Sequence, residues 1–228
     1  MAAPYFSRAT FAFLKDLAAN NDREWFQANK PRYEEHVRQP ALRFIGDFGP
    51  HVRAVSPHLV CDPRPQGGSL FRIHRDIRFS RDKSPYKNHA AMQFRHESGP
   101  GNAHAPGLYL HLEPGASGLA AGVWRPATPE LRVIREAVAA RPGVWAAACA
   151  AAVTPPAQRF GEKLQRVPAG YAKDHPAAEE LKWKDWGVWQ PLSQQDIVAG
   201  DAMQRLGSAF LRMKPVMAFL CEAMELPF

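Results

Sequence analysis

Apolar residues recur at helical spacing toward both ends of this chain and at strand spacing in its middle, and that order decides the class of fold. Phe11, Leu14 and Ala18 form a stripe that Phe13 and Leu17 widen, so the spacing predicts a helix over residues 10–20. Asn20-Asn21-Asp22 stops it and offers a cap to a second helix, opened by Trp25 and Phe26 and expected to be interrupted at Pro31. Pro40 suits the first turn of a third helix, with Leu42, Ile45 and Val52 on its buried side and Ser56-Pro57 at its end. From Leu59 the texture changes. Residues 70–80 alternate, with Phe71, Ile73, Ile77 and Phe79 on one face and Arg72, His74, Asp76 and Arg78 on the other, which predicts a half-buried strand. Further strands are expected over 91–95, 108–113 and 119–124. The turn Glu113-Pro114-Gly115-Ala116-Ser117-Gly118 joins the last two as an antiparallel hairpin. Residues 99–107, rich in Gly and Pro, read as a mobile loop.

Helical spacing then returns. Thr128-Pro129-Glu130 is a helix start with a capping hydroxyl, followed by the stripe Leu131, Ile134, Val138. Pro142 opens another helix, which Thr154-Pro155-Pro156 breaks. A short helix is expected over 176–182 and a strand over 188–192. A final helix carries Met203, Leu206, Phe210, Met213, Met217, Leu220 and Met224, kinked at Pro215. Core packing is favoured over a dimer seam for that stripe. The expectation is a single α+β domain over residues 1–228: helical at about 8–57, strand-rich at about 59–125, helical again at about 128–225. The sheet should be central and mainly antiparallel, with the N-terminal and C-terminal helices around it. The lack of regular βαβ alternation disfavours a doubly wound parallel sheet.

The length of 228 residues suits one large domain, and 46% apolar with 22% charged residues excludes global disorder. The longest apolar run, residues 144–153, is far short of the roughly 20 residues that cross a bilayer. No secretory signal is visible, so no membrane association and a cytoplasmic location are expected. Cys61, Cys149 and Cys221 are widely spaced and odd in number, which disfavours a disulfide framework or a zinc ribbon and fits buried thiols.

Charge is distributed unevenly. The chain carries +7, and residues 64–95 hold +6 of it. A concentrated positive field attracts phosphate, carboxylate, nucleic acid or an acidic partner. Within the run from Arg72 to Lys87, the expected strand points Arg72, His74, Asp76 and Arg78 the same way. Asp76 can orient one guanidinium by bidentate pairing and leave another free. Asp82 and Pro85 favour a turn that returns Lys83 and Lys87 toward the strand end. Arg72, Arg75, Asp76, Arg78, Ser80, Lys83, Tyr86 and Lys87 are therefore the candidate ligand-binding residues, and Arg125 at the hairpin's end is added to them. The competing reading is a salt-bridge network with a buried Ser84-Pro85-Tyr86 turn.

Nucleotide-binding, zinc-protease, hydrolase and calcium-loop motifs are absent from the sequence. His74, Asp76 and His111 could join at a metal only if the fold brought them together. No ligand pair has helical or turn spacing, so the expectation is no metal and no cofactor. Trp183, Trp186 and Trp189 near Lys182 and Lys184 suggest a stacking platform, with packing favoured.

The run Arg75-Asp76-x-Arg78-Phe79-Ser80-x-Asp82-Lys83-Ser84-Pro85-Tyr86-Lys87 closely resembles the signature of a bacterial and fungal family catalogued as domain of unknown function 2461. Asn20-Asn21-x-Arg23-Glu24-Trp25-Phe26, Tyr109-x-x-Leu112-Glu113-Pro114, Gly122-x-Trp124-x-Pro126 and Pro168-x-Gly170-Tyr171-x-x-Asp174-His175-Pro176 agree with it. The resemblance implies one α+β domain and a soluble intracellular protein. It brings no activity, substrate or cofactor. The functional expectation accordingly comes from charge: a small phosphorylated or carboxylated ligand bound at the basic segment, with phosphoryl or acyl transfer as the natural class if a reaction occurs. The alternatives are nucleic-acid binding through the same surface and a scaffold with an internal ion-pair network. Oligomeric state is left open.

Overall fold

The structure is a computed structural model and describes residues 4–98, 105–152 and 158–228. Two expected features, most of the 99–107 loop and the break at Thr154-Pro155-Pro156, lie outside the described residues.

Helix α1 (Arg8–Ala19) is closed at its start by a reciprocal cap between Ser7 and Thr10. The Thr10 hydroxyl also donates to the His36 carbonyl at 2.7 Å, tying α1 to the following helices. Helix α2 (Arg23–Tyr33) takes its cap from Asp22, whose carboxylate accepts the Trp25 N–H at 2.8 Å. Pro31 was expected to interrupt this helix. Instead the chain widens into a π-helical turn at Glu34–Arg38 and continues into α3 (Gln39–Val55). The Glu34 N–H reaches the carbonyls of Lys30 and Pro31, so the ladder resumes directly after the one donor that Pro31 lacks. Ala41, Phe44, Ile45, Phe48, Val52 and Val55 form the buried stripe of α3.

Five antiparallel strands make the sheet: β1 (Ala90–Arg95), β2 (Gly107–Leu112), β3 (Gly118–Val123), β4 (Gln158–Arg159) and β5 (Trp186–Pro191), in the order β1-β2-β3-β5-β4. Alternation assigns the two faces. Met92, Phe94, Leu108, Leu110, Leu112, Leu119, Ala121, Val123, Trp186 and Val188 point into the core. There Phe94 meets Phe48 of α3 and Phe210. Gln93, Tyr109, His111 and Trp189 lie on the opposite face. The β2–β3 register pairs Leu110 with Leu119 and His111 with Gly118, confirming the expected hairpin.

The remaining helices contribute Ile134, Val138, Trp145, Leu181, Ile197 and Phe210 to the same core. Helix α4 (Thr128–Ala140) begins at its expected cap, one residue earlier than foreseen: Thr128 is inside the helix, and Ala127, at the cap position, makes no side-chain cap bond. Helix α5 (Pro142–Ala152), the short α6 (Ala178–Leu181) and α7 (Gln194–Val198) follow. The expected final helix is two, α8 (Ala202–Arg212) and α9 (Lys214–Ala223), separated at Met213 where Pro215 starts a new first turn. Leu206, Phe210, Met213, Met217 and Leu220 are all buried, so this stripe is core. One apolar cluster runs from Phe6 to Leu220 and draws on both helical parts and the sheet. The arrangement is α+β. Among the described residues no helix is long and apolar enough to cross a membrane.

The expected strand over residues 70–80 does not form. Leu70 and His74 make single bridges, to Met92 and Tyr86, and the rest is irregular. Of its four apolar positions only Ile73 is buried, and Phe79 is 95% exposed. The reason is local. The Asp76 carboxylate accepts the Arg78 N–H at 3.2 Å and Asp82 accepts the Ser84 N–H at 2.9 Å, so short acids capture their own backbone and turn it.

Candidate functional site

Those turns redistribute the basic segment. The Arg78 guanidinium donates twice to Asp76, at 2.9 and 2.6 Å, on the exposed side of the loop. Arg78 holds the Asp76 carboxyl down to about 2. Arg75 pairs with Asp82. The Ser84 hydroxyl and N–H, and then Arg75, keep Asp82 far below the usual carboxylate range. Lys83 donates to the Ile77 carbonyl at 3.0 Å, and the Ser80 N–H donates to the same carbonyl at 3.4 Å. Lys87 donates to the Arg72 carbonyl at 3.0 Å and lies 5.0 Å from the centre of the Phe71 ring.

Tyr86 faces inward. Its ring is 3% exposed and stacks on Phe26 at 4.1 Å, so it presents no open stacking face. Asn21 fixes this position: its side-chain amide donates to the Tyr86 carbonyl at 2.9 Å and accepts the Tyr86 N–H at 3.0 Å. On the other side, Arg75 N–H to Pro85 O and Lys87 N–H to Ile73 O frame the His74–Tyr86 bridge. One amide thus substitutes for a third strand. Arg125 does not join the segment. It follows β3 at the end of the sheet away from Leu112, adopts φ 48°, and gives its N–H to Asp185 at 2.7 Å.

The other chemistry-bearing group is on the sheet face opposite the core. His111 on β2, His89 just before β1 and Glu113 just after β2 bring their ligand atoms within 4.8 Å of one another. The His89 and His111 rings are 4.3 Å apart. His111 Nε2 is 2.8 Å from Glu113 Oε2, and its Nδ1 is 2.9 Å from the Tyr109 hydroxyl. The turn anchors Glu113 twice: its N–H donates to Ser117 Oγ at 2.9 Å, and that hydroxyl donates back to the Glu113 carbonyl at 2.8 Å. Burial, and then His111, hold the His89 imidazole down to about 4; Lys87 and Arg75 push the same way and Glu113 opposes them. Burial pushes the Tyr109 phenol up to about 12, so it stays protonated. Trp189 closes one side. A Cβ on Gly118 would meet its Cζ2 at 2.1 Å, so the indole lies directly on the Gly118 backbone beside His111.

Beyond Phe71, a cleft of about 530 Å³ opens between β1 and residues 60–72. Arg64, Arg72, Arg95, Asp62 and Glu97 line it. Arg64 is paired with Asp62, and the Glu97 carboxylate lies 2.6 Å from His58 Nδ1, so the cations of the cleft outnumber its acids and Arg72 and Arg95 have no carboxylate partner among the described residues. Phe71 separates this cleft from the histidine group, touching Tyr109 on one side and Lys87 and Arg95 on others.

Among the described residues, the histidine group is the one set of His, Cys, Asp and Glu close enough to share an ion, and His74 and Asp76 are not in it. His111-x-Glu113 at strand spacing, alternating with Leu108, Leu110 and Leu112, is the signal that could have found two of its three members; from the sequence Glu113 reads only as a turn residue. His89 arrives by register, because β1 sets Ala91 opposite His111. The tryptophan platform takes the packing form at Trp186, which is fully buried against Trp145.

A family model described as a conserved hypothetical protein, DUF2461, matches residues 9–219. No curated protein matches the chain.

Proposed function

The chain belongs to the DUF2461 family of conserved hypothetical proteins, and from the chemistry of its open sheet face we propose that it binds a small phosphorylated or carboxylated ligand there. The observation that supports this reading is convergence. Lys87 and Arg75 of the basic segment lie in the electrostatic surroundings of the His89–His111 pair, and Arg72 lines the adjoining cleft. A volume of about 530 Å³ suits a small molecule. Arg78, Arg75 and Lys83, held by Asp76, Asp82 and a backbone carbonyl, contribute long-range field and leave the direct contacts to Arg72, which lines the cleft, and Lys87 beside Phe71. Three free cysteines fit a reducing compartment, and we assign the protein to the cytoplasm.

The test is a thermal-shift panel of inorganic phosphate, nucleotides, small carboxylates and a short oligonucleotide, in chelator and at two salt concentrations. A ligand at a hundredfold excess over its Kd stabilises by about 2.7 kcal/mol, a rise of about 5–10 °C for a chain of this size. The rise should persist in Arg78→Glu and vanish in Arg72→Glu/Lys87→Glu. A shift given by the oligonucleotide alone, and lost at the higher salt, would replace this reading with nucleic-acid binding. No shift with any member would leave the ion-paired scaffold.

A further inference from the structure

We propose that one ring nitrogen of His89, His111 Nε2 and a Glu113 carboxylate oxygen form a three-ligand site for a divalent transition metal of the zinc type, with a fourth position open to water or an anion. Two imidazoles and one carboxylate are a donor set that zinc and its neighbours take, and three protein ligands leave room for an exchangeable one. The donor atoms already lie within 4.8 Å of one another. Tetrahedral coordination at about 2.0–2.1 Å brings donors to about 3.4 Å apart. His89 and Glu113 flank the strands, so their side chains can close that gap without moving the sheet.

The surroundings match what a metal-bound imidazole requires. His111 has its second nitrogen 2.9 Å from the Tyr109 hydroxyl. With the ring in its Nε2–H tautomer, His111 donates to the Glu113 carboxylate and the tyrosine O–H donates to Nδ1. Metal entering between Nε2 and the carboxylate transfers that proton to Nδ1, whose N–H then donates to the tyrosine oxygen. The proton count of the imidazole is unchanged. Trp189 shields one flank. Lys87 and Arg75 are nearby, so the charge balance favours hydroxide or an anionic oxygen as fourth ligand. The site stands apart from the anion reading, because the panel above is run in chelator.

Calorimetric titration of the chelator-stripped, full-length protein with ZnCl2, repeated with CoCl2 and visible spectroscopy, tests it. Saturable binding of one ion per chain and a tetrahedral cobalt spectrum are expected. His111→Ala and His89→Ala should each weaken binding by at least about 100-fold, and Tyr109→Phe by about 10-fold. Glu113→Gln preserves a hydrogen bond from His111 and so the fold, and should still lose at least about 10-fold. His74→Ala, outside the group, should bind as the parent does. Absence of one-to-one binding, or binding that survives both His111→Ala and Glu113→Gln, overturns the site.

Discussion

Asn21 offers the sharpest check on how the basic segment is held. Its side chain makes two hydrogen bonds, 2.9 and 3.0 Å long, to the two backbone groups of Tyr86 that face away from the His74 bridge. Asn21→Ala removes both and leaves a donor and an acceptor in a half-buried place. Each bond contributes about 1 kcal/mol net, and an orphaned group costs about 1–3 kcal/mol when water is kept out. Partial access for water keeps the total low, so the expected loss is about 2–3 kcal/mol, or about 5–10 °C in Tm. Asn21→Asp separates geometry from volume. One oxygen still accepts the Tyr86 N–H, but the other faces the Tyr86 carbonyl, acceptor against acceptor. At pH 7 the aspartate variant should therefore be no more stable than the alanine one. Its deficit against the parent should shrink as pH falls below about 4, where the protonated acid can donate again. Urea unfolding followed by tryptophan fluorescence, with the slope unchanged, is the assay. An alanine variant within about 0.5 kcal/mol of the parent, or an aspartate variant matching the parent at neutral pH, would refute the single-amide clamp.

Gly118→Ala should cost about 1–3 kcal/mol and alter the Trp189 fluorescence, because the new methyl would overlap the indole; a variant with parental stability and spectrum would mean that ring does not rest on the strand. Burial pushes the Cys61 and Cys221 thiols up to about 12 and also raises Cys149. At pH 8 the native protein should therefore react with a disulfide reagent about a thousand-fold more slowly than the urea-unfolded chain at Cys61 and Cys221, with all three thiols reacting once unfolded. Fast stoichiometric labelling of the folded protein would contradict this.

Elements whose periodicity and packing agree were readable before any coordinates. The Leu108-Leu110-Leu112 alternation with its Glu113–Gly118 turn specified the hairpin; of the three residues expected on the buried side of α3, Ile45 and Val52 are there and Leu42 is only half-buried, while Phe44 and Phe48 complete the stripe. Residues 70–80 misled because a period of two says nothing of whether a partner strand is present, and here Asp76 and Asp82 capture nearby backbone N–H groups instead. The arginines there are legible as charge, but their partners are not: Asp76 and Asp82 each bond within their own turn and also hold a cation. His89 carries no signal in its spacing, since its nearness to His111 is a product of strand pairing alone. Pro31 suggested a break because a proline's missing donor can be read, whereas the packing that carries the helix on past it cannot.

Strand β2 interleaves two instructions, with even-numbered leucines holding the scaffold and odd-numbered Tyr109 and His111 presenting reactive groups. Swapping tyrosine or imidazole for another polar group leaves the scaffold's own letters untouched, so new chemistry can be tried on this face at little structural risk. Slippage by a single position is another matter: it would bury an imidazole and turn three leucines toward water. The serine-clasped bend after Glu113 therefore keeps the reading frame of the whole surface.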